Sequence, residues 1–309
     1  MKVVLGTRGS ALARWQASFV AQRLEQAGYR VDIRIFSTTG DRMQDRPLVA
    51  IGGKGLFTQE LDEALLREEI DLAVHSLKDL PTELPEGLAL VAVPERDSPF
   101  DVLVFREGLA PCTVHELPMG ARVGTSSLRR GAQLRALRPD LKIVPVRGNV
   151  DTRLRKLDAS NWHALVLAEA GLRRLNIQRS GIIRLSAEEM VPAVSQGALG
   201  VVCKASRRSV CDVLREVVHH EPSGIAVRAE RAFLRRLEGG CQVPVGALAT
   251  LDDVGVLRLL GTVVALDGSE QFREQRVGSA REPESLGTLL AEHLLALGAH
   301  RILKTIRSA

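Results

Sequence analysis

Short runs of β-branched and apolar residues alternate with amphipathic stretches of helical period through the first two-thirds of the chain. This alternation constrains the fold more than any other feature. The runs fall at 3–5, 31–36, 72–74, 88–93, 102–105, 143–146 and 165–167, and helical periodicity occupies 10–26, 57–69, 127–137 and 149–157 between them. Strands that alternate with helices in this way predict βαβ units and largely parallel sheets covered by helices on both faces. Residues Pro94 to Pro99 mark a hinge between two such units, and a second hinge falls near Pro192, after which 199–203 supplies one more strand. Beyond Glu221-Pro222-Ser223-Gly224 the pattern changes to a helix (225–237), three strands (about 246–276) and a terminal helix (286–297). That change predicts a separate small α+β domain and leaves open whether the first two domains share a fold.

With 309 residues the chain is long enough for two or three domains. Its N-terminus carries one basic residue and a short apolar run that meets Arg8 too early for a signal-peptide core. No apolar stretch approaches the ~20 residues of a membrane span. The expectation is a cytoplasmic protein with no membrane partner. A net charge of +5 raises the question of an anionic partner. Nucleic acid is disfavoured, because the basic residues are scattered among acids and aromatics are only 3% of the chain, too few for a base-stacking platform. Arg outnumbers Lys, which suits fork-like pairing with carboxylate or phosphate. Cys112, Cys203, Cys211 and Cys241 form no C-x-x-C pair and have no His at zinc-ligand spacing, so no metal is expected. Cys203 and Cys211 read as small core residues.

Three strand-to-helix turns share an odd feature. Thr7-Arg8-Gly9-Ser10, Gly124-Thr125-Ser126-Ser127-Leu128-Arg129-Arg130 and Arg147-Gly148-Asn149-Val150-Asp151-Thr152-Arg153 each open a helix. Ser, Thr and Asn are ordinary N-caps. Arginines are not expected there, because a helix N-terminus already carries partial positive charge. Backbone N–H groups, a hydroxyl and guanidinia together make an anion site, and turns at the carboxyl ends of parallel strands are where open α/β sheets bind ligands. One such turn is as well read as a plain capped helix with a solvated Arg; three together favour an anion.

His75-Ser76-Leu77-Lys78-Asp79-Leu80-Pro81 closes the strand begun at Leu72. A period of two places Asp79 on the side of His75 and Leu77, with Lys78 opposite. An acid at a strand's carboxyl end beside a cationic cleft suits proton transfer or stabilisation of a cation, although the motif by itself is better read as an Asp79–Lys78 pair capping the turn; His75 reads as a structural hydrogen-bond partner. Gly52-Gly53-Lys54-Gly55-Leu56-Phe57 lacks the P-loop arrangement, and the connection from Thr38 to Gly55 reads as a lid. In Glu238-Gly239-Gly240-Cys241-Gln242-Val243-Pro244 the glycines leave Cys241 on a tight loop, where a thiol beside arginines can act as nucleophile or attachment point.

Taken in order, these motifs, with Pro192-Ala193-Val194-Ser195-Gln196-Gly197, resemble the porphobilinogen deaminase (hydroxymethylbilane synthase) family across nearly the whole chain. Gly9, Ala11 and Ser195 depart from the common family residues. The resemblance implies two periplasmic-binding-protein-like α/β domains (1–95 with 196–218, and 99–192) and a small C-terminal α+β domain (221–309). It implies a monomer carrying a dipyrromethane cofactor on Cys241 through a thioether. Four porphobilinogen molecules would be added in turn with loss of ammonia, and hydrolysis would release the linear tetrapyrrole, a step of heme biosynthesis. Asp79 matches the catalytic acid. Lys78, Thr125, Ser126, Ser127, Arg129 and Arg130 match the cofactor side. Arg8, Ser10, Arg147, Arg153, Arg174 and Gln196 match the substrate side, and Lys54 and Phe57 belong to the lid. Every pyrrole brings an acetate and a propionate, which is the polyanion the arginines call for.

Two other readings compete. A passive receptor for an anionic ligand would keep a two-lobed fold but predicts an export signal and gives Cys241 no task. A nucleic-acid binder predicts retention that falls steeply with salt.

Overall fold

The computed structural model describes residues 2–42, 58–238 and 243–307. The chain divides into two compact units, 1–97 with 197–224, and 98–196 with 225–309.

In the first unit a five-stranded sheet has the order β2-β1-β3-β10-β4, from Arg30–Phe36, Lys2–Arg8, Leu72–Ser76, Leu199–Lys204 and Leu88–Ala92. β1 runs parallel to β2 and β3, and β10 is antiparallel to both β3 and β4. Four strands therefore share a direction and one opposes them. Helix α1 (Ala11–Gln26) buries Ala13, Ala17, Val20, Ala21 and Leu24, spaced three and four apart along one stripe. That stripe packs with Val3, Leu5, Leu72, Val74 and Val201 into one core, joined by Cys203 and by Cys211 and Leu214 of α7 (Arg208–Val217). Cys203 and Cys211 are both buried, as their apolar surroundings in the sequence require. Leu72 and Val74 point into this core, so by the pleat Ala73 and His75 face the other side of the sheet. Between β2 and β3 lie the single turn α2 (Thr39–Arg42) and α3 (Gln59–Leu66), shorter than the 57–69 expected.

The second unit contains a sheet of the same design. Its order is β7-β6-β8-β5-β9, from Lys142–Val144, Arg122–Gly124, Ala164–Ala168, Asp101–Phe105 and Ile182–Arg184. β6 is parallel to β7 and β8, and β5 is antiparallel to β8 and β9. In each sheet the fourth position is taken by the one opposed strand, which the chain supplies just after leaving the other sheet. The shared fold that the sequence left open is thus visible as identical topology. α4 (Leu128–Leu137), α5 (Val150–Asp158) and α6 (Glu169–Arg174) complete this sheet. Leu103, Phe105, Val123, Leu134 and Val166 form the core of one face, and Val102, Val104, Leu154, Leu165 and Leu172 that of the other.

The remaining part is α+β. Helix α8 (Glu221–Arg236) leads to the antiparallel meander β11 (Val245–Leu251), β12 (Val256–Val264) and β13 (Gln271–Ser279). Phe233, Leu257, Leu259, Val263, Leu290 and Leu294 are at its core. The terminal helix differs from expectation: α9 (Pro283–Leu294) ends in a turn, and Gly298 at φ 121° starts the direction of α10 (His300–Arg307). A helical period cannot announce such a break, because the apolar spacing continues through it. Glu230 of α8 is wholly buried and accepts from the backbone N–H of Ser195 (2.6 Å) and of Ala249 (2.8 Å), tying the meander to the return connection.

Candidate active site

β1 and β3 are parallel neighbours, so their carboxyl ends open on one edge of the first sheet. A pocket sits there, lined among others by Arg8, Ser10, Gln16, His75, Ser76 and Asp79. Ser10 caps α1, its Oγ accepting from Ala13 N (3.2 Å) as the sequence indicates. Gln16 Nε2 donates to Ser76 Oγ (2.7 Å), which fixes the end of β3 against α1.

The strand period assigned to Asp79 fails. β3 stops at Ser76, and Leu77–Asp79 forms a tight 3-10 turn in which Leu77 N–H donates to Ala198 O and Leu80 N–H to Leu77 O. The turn sends Leu77 into the core, leaves Lys78 half-buried and exposes Asp79 at the pocket. The cause is local. Pro81 disfavours helical geometry at Leu80 and closes the turn after one step.

His75 is only 5% exposed, and its Nε2 has no hydrogen-bond partner among the described residues. The hydrogen bond expected of a structural His75 is therefore not made at Nε2 among the described residues. Burial, and then the Arg8 guanidinium, push its pKa down to about 4, so the ring is neutral at ordinary pH. Thr58 precedes α3, where a hydroxyl normally caps, yet it makes no cap bond and its buried Oγ1 also has no partner among the described residues. Asp62 lies one turn on. Burial raises its carboxyl to about 6, against a smaller downward pull from the nearby Thr58 hydroxyl, which does not reach good hydrogen-bond geometry.

In the second unit the arginines of α4 have an anion of their own. Asp101, at the start of β5 and fully buried, faces both: Arg129 Nη1 is 2.8 Å from Oδ2 and Arg130 Nη2 is 2.7 Å from Oδ1. The Arg129 contact is off line, leaving Oδ2 without a well-formed hydrogen bond. Gln196 Nε2 adds a third donor to Oδ1 (3.0 Å) and also reaches Pro99 O (2.8 Å). Burial alone would raise the Asp101 pKa, but the two guanidinia and these donors overcome it and hold the carboxyl well below the usual range. Arg129 is pulled down by its own burial and by Arg130, against the pull of Asp101. Two guanidinia against one carboxylate leave a surplus positive charge at the N-terminal end of α4.

The hydroxyls of that turn have structural duties as well. Ser127 Oγ caps α4 by accepting from Arg130 N (3.4 Å), Thr125 Oγ1 accepts from Ser127 N (3.2 Å), and Ser126 Oγ exchanges bonds with both N and O of Val146 (2.8 Å each). On the next turn Asn149 caps α5, and Arg153 Nε donates to Gly148 O (2.7 Å). Gly148 sits at φ 113°, where a Cβ would lie 2.6 Å from Thr152. Arg147 and Arg153 occupy this turn, and Arg174 ends α6. Lys54, Phe57 and Cys241 lie outside the described residues, as does most of the expected lid. Sequence reasoning missed Asp101, although one acid heading the apolar run Val102 to Phe105 is a detectable signal of a buried charge that needs a partner. Thr58 and Asp62 carried no such mark.

Among the described residues no helix is long and apolar enough to cross a membrane, and no group of His, Cys, Asp and Glu could hold a metal. Two family models match, "Porphobilinogen deaminase, dipyromethane cofactor binding domain" over 3–212 and "Porphobilinogen deaminase, C-terminal domain" over 225–296. A porphobilinogen deaminase of Desulforudis audaxviator is 52% identical, covering 99% of this chain and 98% of its own. One of Moorella thermoacetica is 50% identical, covering 100% and 97%. Among solved structures, a probable amino-acid ABC transporter extracellular-binding protein of Bacillus subtilis aligns over 70% of this chain and 90% of its own, at 11% identity and a TM-score of 0.44. With both family models in order along the chain and half of all residues shared with full-length relatives, this chain belongs to the porphobilinogen deaminase family.

Proposed function

We propose that the protein is a hydroxymethylbilane synthase, a transferase that joins four porphobilinogen molecules with loss of ammonia and releases a linear tetrapyrrole. The observation that carries the reading is the pocket in which one exposed acid, Asp79, shares a wall with Arg8, Ser10 and neutral His75. Arg8 and Ser10 would hold a substrate carboxylate by a charge-assisted pair and a hydroxyl. Asp79 would meet the aminomethyl end, where positive charge develops as ammonia departs; a fixed carboxylate stabilises that charge and can take up the proton released after the carbon–carbon bond forms.

The family's dipyrromethane cofactor carries several carboxylates, and the donor set of this chain fits it. The turn before α4 presents a helix N-terminus and one guanidinium charge in excess of Asp101. Lys78, Thr125, Ser126, Ser127, Arg129 and Arg130 are the residues assigned to its carboxylates, and Cys241 to its thioether. When bound, the group supplies the pyrrole carbon onto which the first substrate is joined. Arg147, Arg153, Arg174 and Gln196 are assigned to the substrate side, and Lys54 and Phe57 to closure over it. The C-terminal α+β part would serve as the domain that carries Cys241.

Intact-mass measurement tests the reading. The purified protein should exceed its sequence mass by two pyrrole units, lose that excess in Cys241→Ser, and show a ladder of added units with porphobilinogen. Asp79→Asn should fold and bind but lose nearly all turnover. An active enzyme of unmodified mass, or near-normal turnover in Asp79→Asn, would refute it.

A further inference from the structure

Two residues that line the first-unit pocket, His75 and Thr58, each bury a polar atom, Nε2 and Oγ1, that has no hydrogen-bond partner among the described residues. His75 is 5% exposed and Thr58 1%. An unmet polar atom at such depth is unfavourable, so its persistence in the wall needs an explanation. The rest of the wall supplies one, because apart from the exposed Asp79 its charged and hydroxyl groups are donors. Ser10 Oγ and Ser76 Oγ each already accept a bond, from Ala13 N and Gln16 Nε2, which leaves their O–H hydrogens to give. Arg8 lines the same pocket. Thr58 stands at the N-terminus of α3 with a hydroxyl not spent on capping. His75 projects from the face of β3 opposite the Leu72 and Val74 core, and its ring is neutral at working pH. Asp79, the acid of the pocket lining, is exposed.

From this geometry we infer that Thr58 and His75 are substrate contacts, donating from Oγ1 and Nε2 to a carboxylate side arm of the incoming pyrrole. The inference rests on the proposed synthase activity and assigns two further groups to its substrate pocket. A neutral imidazole serves here as a guanidinium cannot: it gives one directed hydrogen bond without adding charge beside Arg8. Before substrate arrives His75 Nε2 has no partner among the described residues and Thr58 Oγ1 has only the Asp62 carboxyl nearby, out of good hydrogen-bond geometry, so little is given up when the two turn to a substrate side arm.

The test separates binding from folding by comparing Thr58→Val, His75→Leu and His75→Gln with the wild-type holoenzyme, in thermal melts and in steady-state kinetics on porphobilinogen. A residue whose bonds hold the fold together lowers the melting temperature when made apolar. Here Thr58→Val and His75→Leu should melt at or above the wild-type temperature, because an unmet buried polar atom is removed. Each should raise KM about tenfold or more with kcat little changed, the signature of lost ground-state binding. Gln places an amide nitrogen near the position of Nε2, so His75→Gln should recover most of the lost affinity. Wild-type KM in both apolar variants would overturn the inference and leave the two atoms to buried water. A fall in melting temperature in both, with KM unchanged, would overturn it equally. Wild-type protein that does not consume porphobilinogen would instead sink the activity on which the inference stands.

Discussion

Replacing Asp101 with Asn tests whether the arginines of α4 are held by the protein's own anion. Asn keeps the shape of the side chain and removes its charge. In the native cluster the carboxylate lies 2.8 Å from Arg129 and 2.7 Å from Arg130, and all three side chains are buried. The variant leaves two buried guanidinia without a counter-charge and turns an amide N–H toward one of them. Breaking a buried pair by removing one partner costs about 3–5 kcal/mol, since the charge that remains has no water to return to. For a folding unit of this size each kcal/mol moves the melting temperature by roughly 2–4 °C, so a fall of roughly 6–20 °C is expected. The pH dependence adds a second check. The Asp101 pKa is depressed on folding, so its contribution is complete above the unfolded value near 3.8 and is lost only as pH falls through the folded one. The gap between wild type and variant should therefore be flat from pH 5 to 8 in thermal melts followed by circular dichroism. A fall below 2 °C, or a gap that closes between pH 8 and 6, would refute the account of the cluster.

Two further perturbations follow from buried groups outside that cluster. Asp62 has its pKa raised to about 6, so the folded state takes up a proton more readily than the unfolded chain and stability falls as pH rises from about 4 to about 6. Asp62→Asn should remove that slope and stabilise the protein at pH 7.5 by up to about 3 kcal/mol, a shift equivalent to the change from 3.8; an unchanged slope in urea titrations across that range rules the assignment out. Ser195 sits at φ 62° with a buried hydroxyl that has no partner among the described residues. Ser195→Gly relieves both and should raise stability by about 1–2 kcal/mol, measured as a higher melting temperature, provided Glu230 keeps its bond to the backbone N–H; a lower one would show that the serine is accommodated without strain.

What could be read from residues alone was what depends on neighbours in sequence. The three caps at Ser10, Ser127 and Asn149 each follow from a hydroxyl or amide three residues before the N–H it accepts, and each is formed. The parallel sheets follow from the alternation of strands and helices. The opposed fourth strand in each sheet does not, because β5 and β10 look like any apolar strand and their direction is set by where the chain returns. The failure at Asp79 has a similar origin. A period of two holds only while the strand lasts, and nothing in Leu77 or Lys78 states that β3 ends at Ser76. The missing partner of His75 Nε2 has a different origin. A buried histidine usually finds a partner, and only the positions of surrounding atoms reveal that Nε2 has none among the described residues.

The arginines show how far a local electrostatic argument reaches. A guanidinium near a helix N-terminus calls for an anion, and that much is a property of the turn itself. Which anion answers is a property of the fold. At α4 it is Asp101, 28 residues upstream on another strand, and no pattern within the turn refers to it. The answer is incomplete in a way that matters for function. One carboxylate faces two guanidinia, and Arg129 reaches it off line, so the cluster is neutralised only in part. A protein that required these arginines for stability alone would gain by deleting one of them, since a buried unbalanced charge costs more than an apolar side chain of similar volume. Both guanidinia also donate to backbone carbonyls, Arg129 to Val191 O and Arg130 to Val166 O; on the proposed function the surplus is charge kept for a ligand, with Asp101 fixing the geometry of the arginines. Removing Arg129 together with Asp101's charge should then be far less harmful to folding than Asp101→Asn alone, while still abolishing cofactor retention in the intact-mass assay. If the double variant keeps its cofactor, the surplus has no ligand and the arginines belong to the core.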